Sequence, residues 1–184
     1  MALRATIFKA SLQIADMDRG YYADHALTLA RHPSETDERM MIRLFAFARH
    51  ASPSLAFGKG LSNVDEPDLA ERDLTGAITL WIEVGQPDER AILKACGKAE
   101  RVVVVAYGST VPLWWGAIAS PLKRARNLTV LQVDTEQSRA LGSLARRNMA
   151  LQVTIDDGHT WIADGVTTVE VVPKTLTAPD AGRR

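Results

Sequence analysis

Two acidic side chains stand beside apolar segments at a spacing that suits metal binding. Glu83 lies near the end of the apolar segment AITLWIEV, and Asp68 follows Pro67 at the start of PDLAERDLTG, about fifteen residues earlier. If PDLAERDLTG forms a strand and a tight turn, the two strands are antiparallel neighbours, and both acids meet at one edge of a sheet. Carboxylates are the hard oxygen ligands that Mg²⁺ and Mn²⁺ prefer. The spacing therefore predicts a divalent-metal site at Asp68 and Glu83.

A third acid, Glu38, belongs to the segment HPSETDERMMIRLFAFARHA, which has helical periodicity. Ser34 is the expected N-cap, with Asp37 three residues later as in a capping box. At about 100° per residue, the polar stripe of this helix is centred on Arg39, Arg43 and His50, and the apolar stripe on Met41, Phe45 and Ala48. Glu38 falls on the apolar side, where a carboxylate needs a partner. We therefore predict Glu38 as an auxiliary metal ligand.

The first and last parts of the chain read as antiparallel strands. ATIFKASLQIAD alternates polar and apolar residues, DMDRG is a turn, and YADHALTLARH resumes the alternation, which predicts a hairpin. The closing segments MALQVTID, TWIADG and TTVEVV predict an antiparallel meander. Residues 174–184 are polar, and we expect them to form a loose tail.

The middle of the chain alternates strands and helices. After a loop, SPSLAFGKGLSNVDEPD, with a short strand at residues 55–57, AITLWIEV is followed by the helix PDERAILKACG, with Pro87 at its first position and Gly97 at its end. RVVVVAYG is apolar throughout, as in strands that are buried on both faces of a parallel sheet. A helix over residues 109–126, the strand LTVLQVD and the helix TEQSRALGSLARR follow.

This order predicts an α/β (α+β) fold with a mixed β-sheet and flanking helices. A hairpin precedes a strand-helix-strand-helix-strand core, and the meander follows. We expect one domain over residues 1–173, because 184 residues are too few for two ordinary domains. In such sheets ligand sites gather where strands end and helices begin, which is where Glu83 stands.

Composition excludes several classes of function. Lys and Arg total 22, as do Asp and Glu, so no overall field attracts the protein to nucleic acid or to a membrane, and any polyanion site must be a local patch. A single cysteine, Cys96, forms no internal disulfide and is typical of a reducing compartment. The N-terminal segment has no continuous apolar run of the signal-peptide kind. We expect a cytoplasmic protein without a membrane segment.

The carboxylate pattern resembles a known nuclease motif. The chain has a Pro-Asp pair and, a dozen or so residues later, an acid on an apolar strand that is followed by a helix. This pattern is similar to the core of the PD-(D/E)XK nuclease superfamily. TLARHPSETDERMMIRL and LWIEVGQPDERAILKACGKA resemble the signature blocks of the YaeQ family, and the similarity runs from Met1 to about Val172. The resemblance implies a restriction-endonuclease-like core and metal-dependent phosphodiester chemistry on nucleic acid.

The motif carries over with one gap. The resemblance assigns Asp68 and Glu83 as catalytic metal ligands and expects a lysine two residues after Glu83, where this chain has Gly85. Two residues are candidates for positioning the attacking water instead, namely Gln86 or Lys94, which shares a helix face with Lys98. A lysine that reaches the water from another position serves the same chemistry.

Other interpretations stay open beside the nuclease. A catalytically inactive adaptor would bind protein, or would bind nucleic-acid phosphates through Lys123, Arg124 and Arg126 of KRARN or through Arg146 and Arg147. A phosphate or nucleotide could bind the amides of Gly108, Ser109 and Thr110 at a helix start. FGKGLS lacks the spacing of a P-loop, and the four histidines lack metal-ligand spacing.

Each acid also has a structural interpretation. Glu83 can end its strand with hydrogen bonds to the next helix, and Asp68 after proline is an ordinary turn residue. Glu38 can be a first-turn acid that the helix dipole favours. The contacts of the three acids in the folded protein therefore distinguish a structural role from metal binding.

Overall fold

The computed structural model describes residues 4–59 and 65–180. In chain order its elements are β1 (Thr6–Asp16), β2 (Tyr21–Arg31), α1 (Asp37–His50), β3 (Ala56–Phe57), β4 (Leu69–Arg72), β5 (Ile78–Val84), α2 (Glu89–Lys98), β6 (Ala99–Tyr107), α3 (Val111–Leu122), β7 (Leu128–Val133), α4 (Thr135–Ser143), β8 (Asn148–Asp156), β9 (His159–Ala163), β10 (Thr168–Val171) and β11 (Lys174–Thr177). The described residues thus form a mixed α/β fold with four helices and two mixed sheets, which confirms the predicted fold class.

The chain divides into two compact units, each built around one sheet. Unit 1 comprises Met1–Ala51 and Asp134–Pro173, and unit 2 comprises Ser52–Val133 and Lys174–Arg184. The predicted single domain over residues 1–173 concerns both units together and stays a prediction. No helix among the described residues is long and apolar enough to span a membrane.

The sheet of unit 1 has the strand order β10-β9-β8-β1-β2. The predicted hairpin (β1 with β2) and the predicted meander (β8, β9 and β10) are both confirmed as antiparallel. Phe8, Ala10, Leu12 and Ile14 are buried on one face of β1, as their alternation predicts. A parallel pairing of β1 with β8 joins hairpin and meander into one sheet, and no local pattern in the sequence indicates this pairing.

Helix α1 differs from its prediction at its start and on its polar side. Thr36, not Ser34, is the N-cap, because its hydroxyl accepts a hydrogen bond from the amide of Arg39 at 3.1 Å. Ser34 instead lies 2.7 Å from His32 Nδ1. Arg43 is buried, so the predicted polar stripe was wrong at this position. The reason is an ion pair with the buried Glu35, which lies just before the helix.

The sheet of unit 2 has the strand order β11-β7-β6-β5-β4-β3. Strands β5, β6 and β7 are parallel, and the predicted antiparallel pairing of β4 with β5 is confirmed. The middle of β6 is buried, as its unbroken apolar run predicts. Helix α2 begins two residues later than predicted, because Asp88 is its N-cap and accepts a hydrogen bond from the amide of Ala91. Gly97 is the second-last residue of this helix, so the predicted end is correct to within one residue.

Three further segments differ from their predictions. Helix α3 is shorter than residues 109–126, and α4 ends at Ser143. Residues 174–177 were assigned to the loose tail but form β11, which pairs with β7 and thereby satisfies backbone groups at the edge of that strand. Residues 181–184 of the tail, residues 60–64 of the predicted loop (which include part of FGKGLS) and residues 1–3 of the N-terminal segment lie outside the described residues.

Candidate functional site

Asp68 and Glu83 directly follow the last residue pair at one end of the β4–β5 ladder. The last pair of this ladder is Leu69 with Ile82, so the next residues in register are Asp68 and Glu83. Opposite residues of an antiparallel pair project from the same face of the sheet. The structure therefore brings these two carboxyl-bearing residues, here called the carboxylate pair, together at the carboxyl end of β5.

A close backbone contact fixes the position of Asp68. The amide of Gly58 donates to the carbonyl oxygen of Asp68 at 2.8 Å. A Cβ atom at Gly58 would lie 2.0 Å from the carbonyl oxygen of Pro67, so only glycine fits here without a backbone shift. The Asp68 carboxylate accepts a hydrogen bond from the amide of Val84 at 2.7 Å.

Glu83 lies at the border between the core of unit 2 and its surface. Its carboxylate accepts a hydrogen bond from the indole Nε1 of Trp81 at 2.8 Å. The Trp81 ring packs in a core cluster that includes Ile92 and Ala95 of α2. The ammonium group of Lys98 lies 5.8 Å from the centre of the same ring. Glu83 is therefore oriented by a side chain that is itself fixed by packing.

Gln86 connects two neighbouring strand-to-helix corners. Its side-chain amide donates to the carbonyl oxygen of Tyr107 at 3.2 Å and to the hydroxyl of Thr110 at 2.8 Å. The corners turn at Gly85 and Gly108, whose φ angles of 109° and 100° favour glycine. Gln86 therefore holds the ends of β5 and β6 together beside the carboxylate pair.

The start of α3 is a poor anion site. A Cβ atom at Gly108 would lie 3.9 Å from the Gln86 amide nitrogen, so this amide stands directly beside the Gly108-Ser109-Thr110 turn. Pro112 lies in the first turn of α3 and offers no N–H. The missing N–H of Pro112 weakens the predicted phosphate or nucleotide site, whereas the Gln86 amide is a donor that already binds the hydroxyl of Thr110.

Lys94 forms an ion pair with Asp65, and both side chains are more than half exposed. The hydrogen bond and the charge of Lys94 lower the pKa of the Asp65 carboxyl group. Exposed pairs of this kind contribute little to stability, because water and salt screen them. To position a water, Lys94 would have to leave Asp65, which costs little free energy. Gln86 would have to break two hydrogen bonds to do the same.

Glu38 belongs to unit 1, whereas the carboxylate pair belongs to unit 2. Its carboxylate accepts a hydrogen bond from the hydroxyl of Ser138 on α4 at 2.6 Å. A Cβ atom at Gly142 of α4 would lie 3.1 Å from the Cα of Glu38, so the two helices are in close contact here. Glu38 thus has the partner that an inward carboxylate requires. Within the described ranges, no three or more His, Cys, Asp or Glu side chains are grouped as a metal site would need.

Lys123, Arg124 and Arg126, here called the basic cluster, lie at the other end of the unit 2 sheet. Helix α3 runs back from the carboxyl end of β6, and the carbonyl oxygen of Asn127 then accepts a hydrogen bond from Val102 near the start of β6. The basic cluster is exposed. From Val102 to Tyr107 the strand covers about 17 Å. This length separates the basic cluster from the carboxylate pair.

No pattern in the sequence identifies Gly58, Asp65 or Ser138 as partners of these residues. Gly58 stands in a loop with several glycines and serines, and nothing distinguishes it there. Asp65 precedes the Glu66-Pro67-Asp68 stretch, and its distance to Lys94 depends on how the chain folds between them. Ser138 lies on a helix one hundred residues from Glu38, and only the packing of α1 on α4 brings them together.

Comparison with known proteins gives one consistent result. Residues 1–173 match the model of the family described as YaeQ protein. An uncharacterized YaeQ protein of Salmonella typhi is 47% identical over 172 residues, which cover 93% of this chain and 95% of that protein. The Escherichia coli K12 protein of the same description is 46% identical with the same coverage.

Two solved structures are similar to this chain over nearly its full length. The crystal structure of the YaeQ protein from Xanthomonas axonopodis pv. citri has a TM-score of 0.92 and 50% identity, covering 95% of this chain and 99% of that one. The crystal structure of the YaeQ protein from Pseudomonas syringae has a TM-score of 0.91 and 38% identity, covering 95% of this chain and 97% of that one.

Proposed function

The chain belongs to the YaeQ family, and from that premise we propose that it has a PD-(D/E)XK-type core and cleaves phosphodiester bonds in nucleic acid with Mg²⁺ or Mn²⁺. One observation supports the proposal, namely the β4–β5 register, which puts Asp68 opposite Glu83 when it is continued by one residue beyond the Leu69–Ile82 pair. Asp68 and Glu83 are the metal ligands. The amide of Val84 and the indole of Trp81 orient them.

The donor set fits a hard cation that keeps much of its hydration. Mg²⁺ is commonly bound by one or two carboxylates together with water and substrate phosphate. A bound ion would polarise a phosphoryl oxygen and acidify a bound water. Because Glu38 hydrogen-bonds to Ser138, the proposal rests on the carboxylate pair, and the role of Glu38 as a third ligand stays a prediction.

Lys94 is the better candidate for positioning the attacking water. Its exposed ion pair with Asp65 is weak, so its ammonium group is available for a substrate complex. Gln86 instead holds two corners together through Tyr107 and Thr110, and moving its amide would break both hydrogen bonds. We assign Gln86 to positioning the ends of β5 and β6.

Calorimetric titration with Mn²⁺ tests the metal site. Wild-type protein should bind Mn²⁺ with a millimolar or lower dissociation constant, and Asp68→Asn and Glu83→Gln should each weaken binding by about tenfold or more. Both amides keep an oxygen that accepts the hydrogen bond from Val84 or Trp81, so the fold is retained. Glu71→Gln on β4 is the matched control, since Glu71 contacts Ser52. Absence of heat with the wild type would remove the metal site.

Cleavage of DNA and RNA oligonucleotides tests turnover separately. Lys94→Ala should abolish cleavage and leave Mn²⁺ binding intact. Loss of cleavage in Gln86→Ala, with Lys94→Ala still active, would assign the water to Gln86. If wild-type protein binds Mn²⁺ but cuts neither polymer, the cleavage proposal is wrong.

The second candidate is an adaptor that binds nucleic acid without cutting it. The exposed basic cluster favours it, because none of its three cations forms an ion pair within the described part of the chain. Each phosphate neutralised on duplex should contribute a slope of about −0.9 to log K against log salt. Replacing all three residues of the cluster with alanine should therefore flatten the slope, and an unchanged slope would exclude the cluster as the binding surface.

A further inference from the structure

Helix α3 is apolar yet mostly exposed. Its sequence, VPLWWGAIASPL, contains no charged residue, and of its side chains Val111 and Leu122 are buried. Leu113 is 79% exposed. Trp114, Trp115 and Ile118 pack partly against the core of unit 2. An exposed helix of a monomer normally carries charged residues on its solvent side, so this helix has the composition of a covered element.

Four of the six exposed residues of α3 lie on one side of the helix, here called the outer face of α3, and the other two are Pro112 and Pro121 near its ends. The outer face consists of Leu113, Gly116, Ala117 and Ser120, which follow the three-and-four spacing of a single helix side. A Cβ atom at Gly116 would have no described neighbour within 4 Å. Gly142, by contrast, is needed where α4 approaches Glu38. Glycine is a weak helix former, and no neighbour among the described residues requires a glycine at position 116.

Charge at the two ends of α3 is complementary. Near its start, Trp114 Nε1 donates to the carbonyl oxygen of Pro87, next to Asp88, the N-cap of α2, and to Glu89 and Arg90 of its first turn, which together carry one net negative charge. Past its end stands the basic cluster, which includes Arg124. If two copies of α3 pack antiparallel, the basic end of each meets the acidic end of the other. Such a pairing has no like charge along its centre, since α3 itself is uncharged.

We propose that the outer face of α3 binds a second copy of the chain in an antiparallel, two-fold symmetric pair. A two-fold contact uses the same surface on both subunits, as this neutral face with opposite end charges allows. The small side chains of Gly116, Ala117 and Ser120 let the helices approach closely, and Leu113 packs at each end. Twelve residues span about 18 Å, so the interface is at the small end of specific interfaces and the dimer is weak.

Sedimentation equilibrium from about 1 to about 500 µM tests the pair, with dissociation constants on the order of 10–100 µM expected. Leu113→Asp and Gly116→Gln should each raise the dissociation constant by about tenfold or more. Glutamine is a better helix former than glycine and meets no described atom at Gly116, so this variant should keep or raise Tm.

Matched controls are available on the same unit. Leu74, fully exposed in the turn between β4 and β5, allows Leu74→Asp as the control for Leu113→Asp. Gly97 of α2 likewise has no described neighbour within 4 Å, so Gly97→Gln is the control for Gly116→Gln. Neither control should change the dissociation constant. A wild type that stays monomeric at about 500 µM, or a dimer that the two α3 variants leave intact, would overturn the proposal.

A charge reversal tests the antiparallel arrangement. Arg124→Glu should weaken the dimer by bringing like charges together, and adding Glu89→Lys should restore part of the lost affinity. If the double variant is no tighter than Arg124→Glu alone, the antiparallel arrangement is wrong. Because none of these residues belongs to the carboxylate pair, Mn²⁺ binding should be equal in all variants, which keeps this test independent of the proposed cleavage.

Discussion

A buried ion-pair cluster explains how Arg43 is accommodated within residues 40–48 of α1, which are all buried. Glu35 and Arg43 are 6% and 5% exposed. The Glu35 carboxylate accepts hydrogen bonds from Nε and Nη2 of Arg43 at 2.8 and 2.9 Å and from Arg39 at 2.9 Å. Arg43 also donates to the carbonyl oxygen of Ala30 at 3.1 Å. This bidentate geometry is the strong form of an Arg–carboxylate pair.

Removing the Glu35 charge should leave the Arg43 charge buried without compensation. We expect Glu35→Gln to lower the free energy of unfolding by about 3–5 kcal/mol, measured by urea titration with circular dichroism. The control is Asp37→Asn, which removes an ion pair with Arg31 whose side chains are 27% and 49% exposed. That pair should contribute less than about 1 kcal/mol. Equal losses in both variants would contradict the burial argument.

Single residues were the least predictable part of this molecule. Periodicity assigned Arg43 to a solvent-facing stripe, because pattern reasoning assumes that a charge prefers water. Its partner Glu35 precedes the helix and so lies outside the helical spacing. Asp68 and Glu83 were easier to pair, since a short turn between two strands fixes which residues are opposite each other. Local geometry thus predicted the register of β4 with β5 and could not predict the contact between Glu35 and Arg43.

At the scale of elements, the approach of β3 to the end of β4 limits one position to glycine. Gly58→Ala would bring a Cβ atom 2.0 Å from the carbonyl oxygen of Pro67, which is backbone and cannot rotate away. We expect a loss of about 1–3 kcal/mol in the free energy of unfolding, together with weaker Mn²⁺ binding because Asp68 is displaced. Gly97→Ala, with open space around it, is the control and should not destabilise. A fully stable Gly58→Ala would contradict this account.

The turn between β1 and β2 holds the turn between β8 and β9 through one carboxylate. Asp18 accepts hydrogen bonds from the amides of Asp157 at 2.7 Å and Gly158 at 2.9 Å. These bonds, that of Gly158 foremost, lower the pKa of Asp18. The depressed pKa means that the contribution to stability is present above the unfolded-state pKa of about 3.9, and is lost as pH falls through the folded-state value.

The pH dependence follows from this sign. Asp18→Asn should lower Tm at pH 6, and the difference from the wild type should shrink as the pH falls below about 4. Thermal unfolding of both proteins from pH 2 to pH 6 measures this difference in Tm. Subtracting the Tm of the variant from that of the wild type cancels the effect of the other carboxylates, which both proteins share. A difference that stays constant down to pH 2 would show that the Asp18 charge does not support this turn.

Elements with strong patterns were predicted well, and weakly patterned ones were not. The alternation in β1 and the apolar run in β6 each follow from burial on one or both faces. Strand β11 has mixed polar residues and no alternation, so only its pairing with β7 identifies it. Helix ends were misplaced because Ser34 and Thr36 are both good caps, and the choice between them depends on tertiary contacts.

At the scale of the whole molecule, the sequence predicted the elements and their order but not how they divide between sheets. Each unit is built from separated parts of the chain, because unit 1 combines the first 51 residues with residues 134–173. The pairing that closes unit 1 sets Lys9 against Asn148 in parallel register. Turn chemistry determines hairpins, whereas nothing local encodes a pairing between strands so far apart.

This distant pairing has a consequence for synthesis on the ribosome. Strand β1 leaves the ribosome before its partner β8, which follows roughly 140 residues later. At about 5–20 residues per second the nascent hairpin waits on the order of 7–28 seconds with one edge open. During that time the apolar side chains of Phe8, Leu12 and Ile14 lack the rest of their sheet, and an isolated hairpin is marginally stable. The growing chain is therefore open to strand-to-strand association with its neighbours on a polysome until Asn148 has left the exit tunnel.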